Sequence, residues 1–256
     1  MLLTIDIGNT SIAMGLYENQ RLERVARFEH NKNLNTYAIT SVLESIYKNI
    51  YLQGGIISSV ADELTGKIEN AVTDVYKIKP LILNSNFEFD LNLKVKNPET
   101  IGSDRLANIY AASKLYKQTP LIIIDSGSAT TFDILDKNGD FIGGVIMPGF
   151  TLQFKSLNDY TSKLPLINIE NYNKGHKIIC TNTKSQMISG VIRGQICAIE
   201  GLLKQCEQEL GEKPFVVITG GGAKTVEKYI QKDFYNVINP DLTLQGLGML
   251  YERNIN

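Results

Sequence analysis

Asp6 and Asp125 each end an apolar run, Leu2–Ile5 and Leu121–Ile124, and each is followed two residues later by a glycine. A carboxylate at the end of a buried strand is costly unless something cationic meets it. In the first case the polar turn that follows is Asn9-Thr10-Ser11, and in the second it is Ser128-Ala129-Thr130-Thr131. Glycine lets main-chain N–H groups come close to an anion, and the hydroxyls and amide add donors. Carboxylate and hydroxyl oxygens together suit Mg²⁺ that arrives bound to phosphates. One such turn is as ordinary as any hairpin turn; two in register carry the phosphate reading.

The register extends well beyond the aspartates. Residues 2–25 and 121–144 share one offset of 119 residues, with Asn19 on Asn138. Each copy predicts three strands joined by short turns, and an internal repeat of this kind sets the architecture. Helical periodicity follows at Asn35–Lys48, then a strand at Gly55–Val60, a helix at Asp62–Tyr76, a strand at Pro80–Asn84 and a helix at 101–116. The second half repeats that order. A long helix at Lys184–Leu210 leads to a strand at Phe215–Thr219, a helix at 223–231, a strand at 236–239 and a last helix at 242–253. Ile57-Ser58-Ser59 matches Ile218-Thr219-Gly220 only after an insertion of about 42 residues, which falls in 150–180. These elements predict an α/β protein of two pseudo-equivalent domains, 1–117 and 118–256, each a mixed sheet flanked by helices, with a cleft between them.

Composition narrows the partners. A formal net charge of −1 excludes a general nucleic-acid surface, which needs clustered excess Lys and Arg. The three cysteines, Cys180, Cys197 and Cys206, have no CxxC spacing and suggest neither a disulfide framework nor a zinc site. His30 and His176 have no ligand or triad spacing and read as surface residues. Asp6 breaks the first apolar run too early for a signal peptide or membrane span, so the expected compartment is the cytoplasm.

The remaining candidate lies outside both copies. Gly102-Ser103-Asp104-Arg105 opens a helix for which Ser103 or Thr100 could be the N-cap. An acidic residue in a first turn is favoured by the helix dipole, so Asp104 alone is equally well explained by structure. Gly220-Gly221-Gly222, between strand and helix, gives a third turn able to approach a nucleotide.

Taken together, these segments carry a family resemblance. The two Asp-x-Gly hairpins resemble the superfamily of actin, the heat-shock ATPases and the sugar and acetate kinases, whose fold is a duplicated ribonuclease-H-like, or actin-like ATPase, domain. Within it, DIGNTS at 6–11, NPETIGSDR at 97–105, DSGSATTFD at 125–133 and NTKSQMISG at 182–190 resemble type III pantothenate kinase, with support from GGVIMPG at 143–149 and TGGGA at 219–223.

The resemblance implies ATP-dependent phosphorylation of pantothenate to 4′-phosphopantothenate, the first step of coenzyme A biosynthesis. It implies Asp104 as catalytic base, and Gly102, Ser103, Asp104, Arg105 and Thr183 as the pantothenate site. For ATP it implies Asp6, Ile7, Gly8, Asn9, Thr10, Ser11, Ile12, Ala13 and Ser128. It places Mg²⁺ near Asp6, through water, and K⁺ or NH₄⁺ at Asp125. It also implies a homodimer, for which the apolar surplus of 184–210 offers a surface, although core packing explains that surplus about as well. Two departures stand out: Ser126 and Ser128 replace a family Phe and Thr, and Val95 stands where a substrate-facing Tyr is usual. A non-catalytic accessory protein that binds pantothenate or nucleotide shares this fold, and the presence of Asp6, Asp104 and Asp125 together favours the kinase over it.

Overall fold

The computed structural model describes residues 1–30, 36–47, 50–167 and 177–255. The ends of the first expected helix, Asn35 and Lys48, lie outside the described residues, as does His176. The chain divides into two compact units, Met1–Lys117 with the stretch from Asp241, and Gln118–Pro240.

In the first unit, β1 (Leu2–Ile7), β2 (Ser11–Glu18) and β3 (Arg21–Glu29) form an antiparallel meander. β4 (Gly54–Ser59) joins β1 in parallel through the crossover helix α1 (Thr36–Tyr47). β5 (Leu81–Ile82) follows through α2 (Asp62–Tyr76), giving the sheet order β3-β2-β1-β4-β5. Because β1 is central, its apolar run is buried on both faces, and only Asp6 is partly exposed. α1 and α2 cover one face, packing Ile39, Leu43, Leu64 and Ile68 on Leu3 and Ile5. Tyr47 donates its hydroxyl to the Met14 carbonyl at 3.0 Å, and burial pushes its phenol up to about 12.

The opposite face is covered by α3 (Ser103–Leu115) and α7 (Leu242–Ile255). This corrects the boundary read from the sequence, which left the last helix with 118–256. Leu244, Leu247 and Leu250 of α7 pack with Leu106 and Ala107 of α3. Thr243 donates its hydroxyl to Asn108 Oδ1 at 2.8 Å, and Asn108 is fully buried. The close approach depends on glycine. A Cβ at Gly246 would stand 2.1 Å from the Ala107 carbonyl oxygen, and one at Gly248 2.3 Å from the Tyr17 ring.

The second unit repeats the sheet. β6 (Leu121–Ser126), β7 (Ala129–Leu135) and β8 (Phe141–Pro148) form the meander, and β9 (Phe215–Thr219) and β10 (Val237–Ile238) add in parallel, in the order β10-β9-β6-β7-β8. The two copies differ by one residue at the first turn. Ile7 pairs with Ile12, whereas Ser126 pairs with Thr130.

The insertion holds a helix that periodicity did not reveal, α4 (Phe150–Asp159), anchored by Phe150 and Phe154 one turn apart. The 28-residue α5 (Thr183–Leu210) begins where the Asn182 side chain accepts from the Ser185 N–H at 2.9 Å, and it ends at Gly211 in the left-handed region (φ 77°). α6 (Ala223–Tyr229) completes the unit.

The apolar surplus expected to offer a dimer contact on α5 is used inside this unit. Met187, Val191, Ile192, Ile196 and Ile199 are buried in its core, with Ile188 and Leu202 packed against it. Among the described residues, no helix is long and apolar enough to cross a membrane.

Candidate functional site

The first unit brings two of the sequence segments to one end of its sheet. β1 and β4 run parallel, with Asp6 beside Ser58 and Ile7 beside Ser59. Ser103, the first residue of α3, lies on that same edge. Its hydroxyl is 3.0 Å from Ser58 Oγ, accepts from the Ser59 N–H at 3.1 Å and donates to the Ser59 carbonyl at 3.2 Å. Thr65 of α2 adds a fourth hydroxyl, donating to Ser59 Oγ at 2.7 Å. Asp6, Ser58, Ser103 and then Asp104 therefore follow one another across neighbouring elements.

The N-cap of α3 is neither residue the sequence suggested. It is Gly102, and no side chain caps the helix. Thr100 instead donates to the Asn97 carbonyl at 2.8 Å, closing a 3₁₀ turn over Pro98–Thr100. Asp104 is half-buried in the first turn, and its Oδ1 accepts from the Arg105 N–H at 2.8 Å. A Cβ at Gly102 would lie 2.5 Å from that same oxygen, so a larger residue there would require the Asp104 carboxylate to turn aside.

The turn after Asp6 is closed by the Gly8 N–H donating to the Ser11 carbonyl at 2.9 Å, and Asn9, Thr10 and Ser11 are exposed. Ile7 and Ile12 are fully buried on either side, so they fix the turn from within. Ala13 pairs with Asp6 across the hairpin. His30, read from the sequence as a surface residue, is half-buried, and its Nε2 lies 2.9 Å from the Gly8 carbonyl oxygen.

In the second unit Asp125 stands beside Thr219, the counterpart of Asp6 beside Ser58. Of the three glycines after β9, Gly220 packs on Asp125 and Gly222 on Ser126. Gly220 adopts φ 87°, and a Cβ there would meet Asp125 Oδ1 at 2.1 Å. The Gly222 N–H donates to the Ser126 carbonyl at 2.7 Å. Gly149 closes the other side, its N–H donating to the Ser128 carbonyl at 2.9 Å. Thr130, behind the turn, accepts from Gln195 Nε2 at 2.8 Å, which ties it to α5. Neither Gln195 nor the Ser58–Ser59–Thr65 set was legible as part of a site, because each meets its partner through tertiary contact. Thr183 stands exposed at the start of α5, and Val95 is partly buried before the 3₁₀ turn.

Gly220→Ala places a Cβ against a carboxylate and forces a left-handed residue, which costs about 1–2 kcal/mol from conformation alone. The variant is expected to melt at least several degrees below wild type in a thermal scan; an unchanged melting temperature would mean that the turn shifts freely off Asp125.

Among the described residues, no three His, Cys, Asp or Glu side chains gather as a metal cage. Single carboxylates beside hydroxyls are nonetheless a fitting donor set for Mg²⁺, which commonly takes one or two carboxylates and completes its shell with phosphate and water.

This duplicated architecture is that of the actin-like ATPases and sugar kinases. A putative 2-dehydro-3-deoxygalactonokinase from Sinorhizobium meliloti aligns with a TM-score of 0.64 and 13% identity, covering 98% of this chain and 96% of that one. A conserved putative Baf family transcriptional activator from Campylobacter jejuni gives 0.59 and 20%, covering 98% of each chain. MreB 5 of Spiroplasma citri bound to AMPPNP gives 0.51 and 13%, covering 98% and 96%. At these identities the likeness is one of fold.

The family is settled by sequence. The model of type III pantothenate kinase matches residues 2–205, and the chain belongs to that family. Membership places it among kinases.

Proposed function

We propose that this chain transfers the γ-phosphoryl group of ATP to the primary hydroxyl of pantothenate, giving 4′-phosphopantothenate. The family match over residues 2–205 carries this reading. The gathering of Asp6, Ser58, Ser103 and Asp104 at one sheet end supports it. In this reading the turn from Asp6 to Ala13 and Ser128 hold ATP, while Gly102, Ser103, Asp104, Arg105 and Thr183 hold pantothenate. Asp6 would hold Mg²⁺ through water, and that ion would supply neutralisation of phosphate charge. Asp125 takes K⁺ or NH₄⁺.

Asp104 orients the acceptor hydroxyl in line with the γ-phosphorus and accepts its proton late. A weakly basic carboxylate is adequate for this, because phosphoryl transfer passes through a loose transition state and depends chiefly on positioning and electrostatics. The bond from the hydroxyl oxygen to phosphorus forms as the bond from phosphorus to the β–γ bridging oxygen breaks, and ADP leaves. A homodimer belongs to the same reading. It rests on family membership alone, since the apolar side of α5 is engaged in its own core.

A coupled ADP-release assay with pantothenate, in K⁺ and then in Na⁺, tests the reading. Pantothenate-dependent ADP release that falls when Na⁺ replaces K⁺ is expected. Well-folded protein that binds nucleotide yet shows no pantothenate-dependent release would overturn the kinase assignment in favour of an accessory, non-catalytic role.

A further inference from the structure

We propose that His30 is a positioning residue that sets the Gly8–Ser11 turn for phosphate binding; this rests on the reading of that turn as the ATP-phosphate cradle. His30 follows the polar edge strand β3, where a solitary histidine would ordinarily be solvated. Instead it grips the turn twice. Its backbone N–H donates to the Thr10 carbonyl at 3.0 Å, and its ring Nε2 lies 2.9 Å from the Gly8 carbonyl oxygen. A carbonyl oxygen only accepts, so Nε2 carries the shared hydrogen. The other ring nitrogen, Nδ1, is buried and has no hydrogen-bond partner among the described residues.

The consequence follows from peptide geometry. The C=O of one residue and the N–H of the next lie in one plane and, in a trans peptide, point in opposite directions. Drawing the Gly8 carbonyl toward His30 therefore aims the Asn9 N–H away from it. Drawing the Thr10 carbonyl toward β3 does the same for the Ser11 N–H. Gly8 has no Cβ to limit its own rotation, so its peptide needs an outside anchor if the donor direction is to be fixed. Asn9, at the exposed tip, makes no hydrogen bond among the described residues, so its amide is available to an anion. Pre-aimed N–H groups bind phosphate without a reorganisation cost at the moment of binding.

Side-chain length gives a discriminating test. Glutamine carries its Nε2 as many bonds from Cα as histidine does, whereas asparagine ends one bond short. Mg²⁺–AMPPNP binding is measured by calorimetry for wild type and for His30→Ala, His30→Gln and His30→Asn, with a thermal melt of each. Loss of one such hydrogen bond is expected to weaken AMPPNP about fivefold to tenfold in the Ala and Asn variants. The KM for ATP should rise to match, with the KM for the acceptor alcohol unchanged, and His30→Gln should recover most of the affinity. Should His30→Ala fail to fold, the Gln–Asn comparison decides. Asn binding within twofold of wild type, or Gln binding no better than Asn, would overturn the role. Wild-type protein that bound no AMPPNP would overturn both the cradle and His30's part in it. AMPPNP binding without pantothenate turnover would remove only the substrate assignment, and the variant series would still decide for or against His30.

Discussion

Asp104→Asn is expected to lower kcat about 100-fold or more, the scale for loss of a positioned acid–base group, while leaving AMPPNP affinity near that of wild type. Asparagine keeps an Oδ1 that can accept from the Arg105 N–H, so the bond at 2.8 Å survives the change. Only the charge and the capacity to take a proton are lost. Magnitude then separates the two roles open to this residue. A first-turn carboxylate interacting with the helix dipole contributes roughly 0.3–1 kcal/mol of stability. A 100-fold rate loss corresponds to about 2.7 kcal/mol of transition-state stabilisation. A residue serving only α3 would show a small drop in melting temperature and a near-normal rate, and that result would remove Asp104 from catalysis. Single-turnover phosphoryl transfer, measured alongside the thermal melt, reads both quantities on one preparation.

Gly246→Ala is expected to destabilise the first unit by about 3 kcal/mol, the upper end of the range for overpacking. The added methyl would lie 2.1 Å from the Ala107 carbonyl oxygen and 2.7 Å from its carbon, and both are backbone atoms of a buried helix. No rotamer change relieves that contact, so α7 must move off α3. Leu244, Leu247 and Leu250 would be lifted with it, and each is worth about 1.5–3 kcal/mol when fully buried. The intrinsic helix preference of alanine over glycine, about 1 kcal/mol, works in the opposite direction and is too small to compensate. Gly66→Ala on the exposed side of α2 is the control. A Cβ there meets nothing within 4 Å, so the helix preference should appear as a slight gain in stability. Urea unfolding of both variants checks the pair. If Gly246→Ala proved as stable as Gly66→Ala, the close approach of α7 to α3 would not be what holds the last helix in place.

The parts of this molecule that were legible in its sequence are those governed by local rules. The apolar runs around Asp6 and Asp125 announced the two central strands, because a strand buried on both faces cannot alternate. The repeat announced two like sheets, and both have the same order of strands. Helix α2 matches its expected bounds, and α5 differs from its own by one residue at the start. Asn182 and Gly211 mark the ends of α5 with chemistry that acts within a single turn.

What only the tertiary structure decided are the matters settled by residues distant in the chain. The last helix reads locally as the end of the second repeat. It belongs to the first unit because Gly246 and Gly248 let it lie against Ala107 and Tyr17, and a helical glycine reads locally only as a weak helix former. Ser103 reads as a cap, yet it bonds to Ser58 and Ser59, 45 and 44 residues away. His30 reads as surface, yet it meets Gly8, 22 residues earlier. The sequence by itself determined which groups this protein carries and the strands and helices that hold them. The meeting of α7 with α3, of Ser103 with β4 and of His30 with the Gly8–Ser11 turn was left to packing, because partners separated by intervening strands and helices leave no periodic trace in the chain.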